Sequence, residues 1–378
     1  MRRRSAAGGV GEEWHRRLLG TVTAVLAIFG IAAVYGASSI VAVEHGQPAT
    51  WFALRQLIGV AVGGIGLVVA ARLDYHVWRR LAWPLILLSF VTLLIPYLPG
   101  LRALTPELNG ARRWLRIGPI QLQPSEFAKF AVIAWCATLA AKKGEMIREF
   151  KRGILPFLVV IAPLSALILF QPNLSTATLV VLLAGVVMFT AGAKIGHFLL
   201  LLLAAIPVGF RELTQVQYRL ARVSAYFSAG PDASQTGWQI RQSLIGIGAG
   251  GVIGVGFGQG LQKLGYLPLA YSDFIFSTIG EEWGFVGVTL IVTLYATYVW
   301  MGVLIARRAP DLFGTLLAAG LTAMIGITAI LHMAVTLALV PTTGLPLPFV
   351  SFGRSALLVS LFATGVLINI GRQGARAR

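Results

Sequence analysis

The sequence predicts an all-α integral membrane protein of about ten transmembrane helices, on three observations. Of its 378 residues, 57% are hydrophobic and 12% are charged, where soluble domains carry about 25% charge. The mean hydropathy is +0.79. Apolar runs of bilayer-spanning length, about 17–25 residues, recur along the chain. They are continuous rather than alternating, which selects helices over a β-barrel.

The first run, about 18–42, follows a basic tail at 1–17. It is longer than a signal-peptide core and lacks a convincing cleavage site, so it reads as a retained helix. Spans follow at about 52–71, 81–98 and 124–141. The last of these opens with Pro124, Ser125 and Glu126, a helix start with proline and an acid in the first turn. Next come 154–171, 175–192 and 195–210, the sixth preceded by Asn173 in "QPNLSTA", a residue suited to capping. A long non-spanning segment, 211–282, separates the seventh span from the eighth at 283–305. Spans at 312–338 and 355–370 and a basic tail at 371–378 complete one polytopic domain, 18–370, with no soluble domain appended.

The formal net charge of +17 suggests nucleic acid until its placement is considered. With the N-terminus inside, most Lys and Arg fall in cytoplasmic segments, which supports both termini on the cytoplasmic side. The basic residues therefore report topology and contact with membrane lipids, not nucleic acid. Cys136 stands alone, so there is no internal disulfide framework. The five His are scattered and form no metal-binding pair.

Two outer segments break the charge bias. Residues 99–123 carry Arg102, Arg112, Arg113 and Arg116; residues 211–282 carry Arg211, Arg219, Arg222, Arg241 and Lys263. The longer one is rich in Gly and aromatics and is expected to fold back onto the membrane. Cations on this side suit an anionic ligand or, equally, lipid headgroups.

Glu126 and Lys129 lie three apart on one face of the fourth helix. They read either as a neutralising pair or as a functional site, since ionisable groups at membrane depth are costly. In "GIGAGGVIGVGFGQG" (246–260) no strand–helix–strand context surrounds the glycines, which excludes a dinucleotide fold; they read as close helix packing through small residues or as backbone approaching a ligand such as a pyrophosphate, with packing preferred. "AYSDFIFSTIGEEWGFVG" (270–287) holds three of the chain's 14 acidic residues. Asp273 reads as a helix cap or as a lone general base. Asp273 and Glu282 are nine apart, about half a turn out of phase, so they would not pair on a continuous helix.

The motifs "GARRW", "QPSEFAK", "QPNLSTA", "GVGFGQGLQKLGYLP", "YSDFIFSTIGEEWGFVG" and "PTTGLPLPFVSFG" resemble, in order, those of the SEDS proteins (shape, elongation, division and sporulation). The likeness runs from about residue 20 to 370, and "GQGLQKLGYLP" is closer to the FtsW branch than to the RodA branch. The resemblance implies ten transmembrane helices in the bacterial cytoplasmic membrane. It implies a peptidoglycan glycosyltransferase that polymerises lipid II on the outer face, with undecaprenyl pyrophosphate as leaving group. The family's essential aspartate maps onto Asp273, and Arg112, Arg113, Glu126 and Lys129 match further functional positions. Ser272, Arg241 and Lys263 join them as candidate substrate contacts. No cofactor is built into the chain, though a divalent cation, Mg or Mn, can accompany the pyrophosphate. The implied partner is a class B penicillin-binding protein; the rival activity is a lipid II flippase. The sequence departs from the family pattern at Tyr271 and Ser272 (His and Thr), Asn173 and Ser175 (Asp and Gly), and Phe352 and Arg354 (Tyr and Gly).

Overall fold

The computed structural model describes residues 6–107, 110–118, 120–214 and 235–376. Eleven α-helices lie within these residues: α1 (Ala6–Glu44), α2 (Trp51–Arg72), α3 (His76–Leu94), α4 (Pro124–Lys143), α5 (Leu155–Phe170), α6 (Leu174–Thr190), α7 (Ile195–Thr214), α8 (Gln235–Ala249), α9 (Ile275–Arg307), α10 (Leu312–Thr336) and α11 (Arg354–Arg376). Seven helical stretches are long and apolar enough to cross a membrane, and two shorter apolar helices, Leu174–Thr190 and Ile195–Arg211, accompany them. The expected fourth span, α4, falls outside both groups, in keeping with its Glu126, Lys129, Lys142 and Lys143.

The α-helical expectation holds, with shifted bounds. Helix α1 begins at Ala6 and α11 reaches Arg376, so much of both expected tails is helical. The 211–282 segment is not one loop. Helix α7 runs into it, α8 lies inside it, and α9 starts at Ile275 rather than 283. Arg219 and Arg222 lie outside the described residues. A two-stranded antiparallel hairpin, β1 (Leu115–Ile117) and β2 (Ile120–Leu122), pairs Leu115 with Leu122. Gly118, at φ +60°, supplies the positive φ that a tight hairpin turn requires.

The helices bury one another on their inner faces and leave apolar faces outside, the reverse of a soluble bundle. Trp135, Phe157, Tyr298 and Phe313 are fully buried. Leu54, Ile58, Val62, Ile65 and Val69 form an exposed stripe along α2 at helical spacing, the face a bilayer would cover. Opposite that stripe α2 packs on α11, so closely that a methyl group at Gly365 would overlap the Leu67 carbonyl oxygen.

One end of the bundle is tied by polar side chains. Asp311 caps α10 by accepting from the Gly314 amide at 2.8 Å. It also accepts from the Tyr75 hydroxyl at 2.8 Å and lies 3.2 Å from His76 Nε2. His76 Nδ1 lies 2.7 Å from Asp74, which accepts in turn from Gln373. Asn369 accepts from the Tyr75 amide and donates to the Ala71 carbonyl. The α2–α3 turn, the α9–α10 turn and the end of α11 thus form one network.

Candidate functional site

At the other end, the "YSD" motif, the glycine-rich run and the "PTTGLPLPFVSFG" loop meet. The meeting depends on a break in α9. Gly284 has φ +61° and ψ −160°, outside helical space, so the chain turns there. The hydrogen bonds lost at the break are remade with the glycine-rich segment. Val255 and Gly256 amides donate to the Glu281 and Glu282 carbonyls at 3.0 and 3.2 Å. Phe285 and Val286 amides donate to the Gly251 and Val252 carbonyls at 2.9 and 3.1 Å. In a membrane a freed backbone group must find such a partner. The backbones approach so closely that a methyl group at Gly254 would overlap the Glu282 carbonyl. The expected packing role of these glycines is therefore what they perform.

The two glutamates complete this joint. Glu281 accepts from the Leu261 amide at 2.7 Å and the Gln262 amide at 3.3 Å. Glu282 pairs with Lys263 at 3.1 Å, both side chains 4% exposed or less. Lys263 also donates to the Gly36 and Gly258 carbonyls. This corrects the expectation that Lys263 contacts substrate: desolvation forces a buried ammonium to take every available acceptor, and its three are internal.

The loop that bears Asp273 is braced from several sides. The Leu269 carbonyl accepts from the Ser272 and Asp273 amides. The Ser272 carbonyl accepts from the Ser351 hydroxyl at 2.7 Å, and the Tyr271 carbonyl from the Phe352 amide at 3.0 Å. Ser351 is held in turn: its carbonyl accepts from Gln56 on α2 and its hydroxyl from the Leu347 amide. Rings stack across the same joint, with Phe52 4.5 Å from Tyr271 and 5.1 Å from Phe352 between centroids. Leu269 and Phe349 sit at φ +58° and +68°, left-handed conformations that cost energy for non-glycine residues and cluster at functional sites. Asp273 lies half-buried next to Gly344. The position before Ile275 is Phe274, with no side-chain cap. Near Asp273, the Thr343 hydroxyl is buried without a protein partner. Burial and the charge of Asp273 hold the Tyr271 phenol above its ordinary value, so it is a neutral donor near pH 7.

The other sequence-derived candidates surround this floor unevenly. Glu126 and Lys129 pair at 2.8 Å, buried. They line a small cavity, about one water in size, with Thr328, Ser360, Pro346 and Pro348. The 340–353 loop thus separates them from Asp273, presenting Gly344 to one and the two prolines to the other. Arg112 is exposed and pairs with Glu107 at 3.3 Å. Arg113 donates to the Gln171 and Pro172 carbonyls at 2.8 and 2.6 Å, supporting the turn into α6 that Asn173 caps. Arg241 is exposed on α8. Ser272 contributes mainly its carbonyl to the loop. The sequence reading missed Gln56 and Ser351; a polar Gln within an apolar span was the available signal for the first.

No group of three or more His, Cys, Asp or Glu converges among the described residues to hold a metal ion.

Fold and site together define a polytopic helical membrane protein with a braced carboxylate at one end of its bundle. The model for the cell cycle protein family of FtsW, RodA and SpoVE matches residues 16–376. The chain is 42% identical over 345 residues to the probable peptidoglycan glycosyltransferase FtsW of Trichlorobacter lovleyi, covering 91% of this chain and 90% of that one. It is 38% identical to stage V sporulation protein E of Bacillus subtilis, covering 94% and 96%. Among solved structures, a peptidoglycan synthase complex described as coordinating polymerization and crosslinking matches with a TM-score of 0.77 at 28% identity, over 94% and 97% of the two chains. The rod shape determining protein RodA of Thermus thermophilus matches with a TM-score of 0.68 at 26% identity, over 94% and 96%. The chain belongs to the FtsW/RodA/SpoVE family.

Proposed function

We propose that this chain is a peptidoglycan glycosyltransferase that polymerises lipid II on the outer face of the bacterial cytoplasmic membrane, with both termini cytoplasmic. The observation that carries the reading is the placement of Asp273. A carboxylate is held beside Gly344 on a floor braced by Ser351, Phe352 and the rings of Phe52 and Tyr271. Relatives named probable peptidoglycan glycosyltransferase FtsW support the same class of activity.

Asp273 takes the proton from the acceptor sugar's 4-hydroxyl as that oxygen attacks the anomeric carbon of the lipid-linked donor. The bond to the diphosphate breaks, and undecaprenyl pyrophosphate leaves with the electron pair. A diphosphate leaves without a strong general acid when its charge is met, and basic residues at this end supply that charge. Attack from behind an α-linked donor gives a β-linked strand. Tyr271 and Thr343 offer hydroxyls to orient sugar oxygens. Arg112 and Arg241 are exposed and remain candidate substrate contacts; Arg113 acts there while holding the turn after α5.

A class B penicillin-binding protein is the proposed partner. No serine in this chain is followed three positions on by lysine, the S-x-x-K arrangement that such transpeptidases use. Cross-linking therefore falls to another chain.

The test is purified protein incubated with lipid II, with and without that transpeptidase. Glycan strands from wild type and none from Asp273→Asn support the reading. Movement of lipid II across vesicle membranes without strand formation would favour the flippase instead.

A further inference from the structure

Among the described residues, two cations at the Asp273 end have no acidic partner. Arg55 lies on the first turns of α2, with its guanidinium 3.7 Å from the centroid of the Trp51 ring. Arg354 opens α11. The packing of α2 on α11 brings them to one level: a methyl group at Gly59, one turn on from Arg55, would meet Leu357 on the first turn of α11 at 3.1 Å, and Gln56, next to Arg55, donates to the Ser351 carbonyl, three residues before Arg354. Both arginines are partly buried, where like charges repel more strongly than in bulk water. Among the described residues neither forms an ion pair with a carboxylate. The amide end of α11 adds positive potential at Arg354 instead of relieving it.

Like charges held together at a membrane interface are costly, and more so where water is scarce. The fold nevertheless builds the arrangement carefully. Trp51 fixes the plane of one guanidinium, and both arginines sit on helix ends anchored to the same loop. Their position is also specific. Arg55 is three residues from Phe52 on one helix face, and Arg354 is two residues from Phe352. Those rings pack on Tyr271, whose phenol senses the charge of Asp273.

We infer that Arg55 and Arg354 form a two-pronged cradle for a phosphate-type anion carried on a lipid, one aromatic side chain from Asp273. Two planar forks match tetrahedral phosphate oxygens with paired hydrogen bonds, and the anion cancels the repulsion that the empty pair suffers. The inference deepens the glycosyltransferase reading and rests on it for one source of the anion, the diphosphate of a polyprenyl-linked substrate or product. A glycerophospholipid headgroup presents the same chemistry.

The experiment reads binding without turnover. Full-length protein in phosphatidylcholine nanodiscs is titrated with radiolabelled undecaprenyl pyrophosphate, comparing wild type with Arg55→Gln, Arg354→Gln, Arg354→Lys and, at the opposite end, Arg80→Gln. Lipid retention is measured by native mass spectrometry after exchange from phosphatidylglycerol nanodiscs. Each Gln variant is expected to weaken pyrophosphate binding about tenfold or more, Lys to recover part of it, and Arg80→Gln to leave it unchanged. Loss of phosphatidylglycerol retention in the Gln variants, with pyrophosphate binding intact, would keep the cradle and assign it to a headgroup. Unchanged binding of both lipids by folded Gln variants would overturn the proposal. Strand synthesis by wild type is scored separately, so an inactive protein that still binds through these arginines rejects the enzyme reading alone.

Discussion

Where α2 turns into α3, the carboxylates of Asp74 and Asp311 are surrounded by groups that satisfy them: His76, Tyr75, Gln373 and the backbone amides of His76 and Gly314. At the opposite end, Arg55 and Arg354 lie level on packed helices with no carboxylate partner among the described residues, and Thr343 keeps a buried hydroxyl unused. The first arrangement closes on itself and can only hold helices together. The second is complete only when something binds. The two ends show that binding capacity is recognised by what the fold leaves unmatched, not by how many charged residues a region contains.

The largest expected effect tests this contrast directly. Asp273→Asn should reduce lipid II polymerisation by roughly 10²–10⁴-fold, the usual contribution of a general base. Its thermal unfolding should match wild type. Asp311→Asn should do the reverse, leaving polymerisation near normal while lowering the unfolding temperature. Loss of folded protein in Asp273→Asn would make that aspartate a structural residue after all.

The buried joint at the Asp273 end comes next. Lys263→Met leaves Glu282 charged and unpaired at 3% exposure. It should cost about 3–5 kcal/mol, and Lys263→Met with Glu282→Met should recover much of that, measured by unfolding in detergent. A single variant as stable as wild type with weakened substrate binding would return Lys263 to the ligand. Gly254→Ala should cost about 1–3 kcal/mol by forcing a side chain into a positive φ and against the α9 backbone.

The smallest effect belongs to the saturated end. Its amide contact to His76 holds the Asp74 carboxyl down at about 2, from an ordinary 3.8. A depressed folded value means that the stabilisation is fully present above about pH 3.8 and is lost as pH falls through 2. Asp74→Asn should therefore lower stability near neutral pH and narrow the gap to wild type as pH drops through that window. Exposure to solvent keeps the difference below about 1 kcal/mol. A gap that widened on acidification would show that His76, not Asp74, governs this end.

How far the site was legible varied residue by residue. Glu126 and Lys129 were paired correctly because three residues on a helix is a fixed distance. Asn173 was identified as a cap from its place before an apolar run, and its side chain accepts from the Thr176 amide. Lys263 was misjudged because Glu282, its partner 19 residues on, approaches only when the helix breaks at Gly284. The bracing of Ser272 by Ser351, 79 residues away, had no signal in either motif alone.

Sequence alone determined the class of molecule. Composition and run length are properties of the chain, and a bilayer leaves long apolar runs no option but to form helices. Motif order carried the family. Only the tertiary structure decided which charged groups are spent inside the fold and which are left over. That outcome depends on distances between segments far apart in the chain. Desolvation assigned Lys263 to Glu282, while the packing of α2 on α11 brought Arg55 and Arg354 to one level without a carboxylate partner among the described residues.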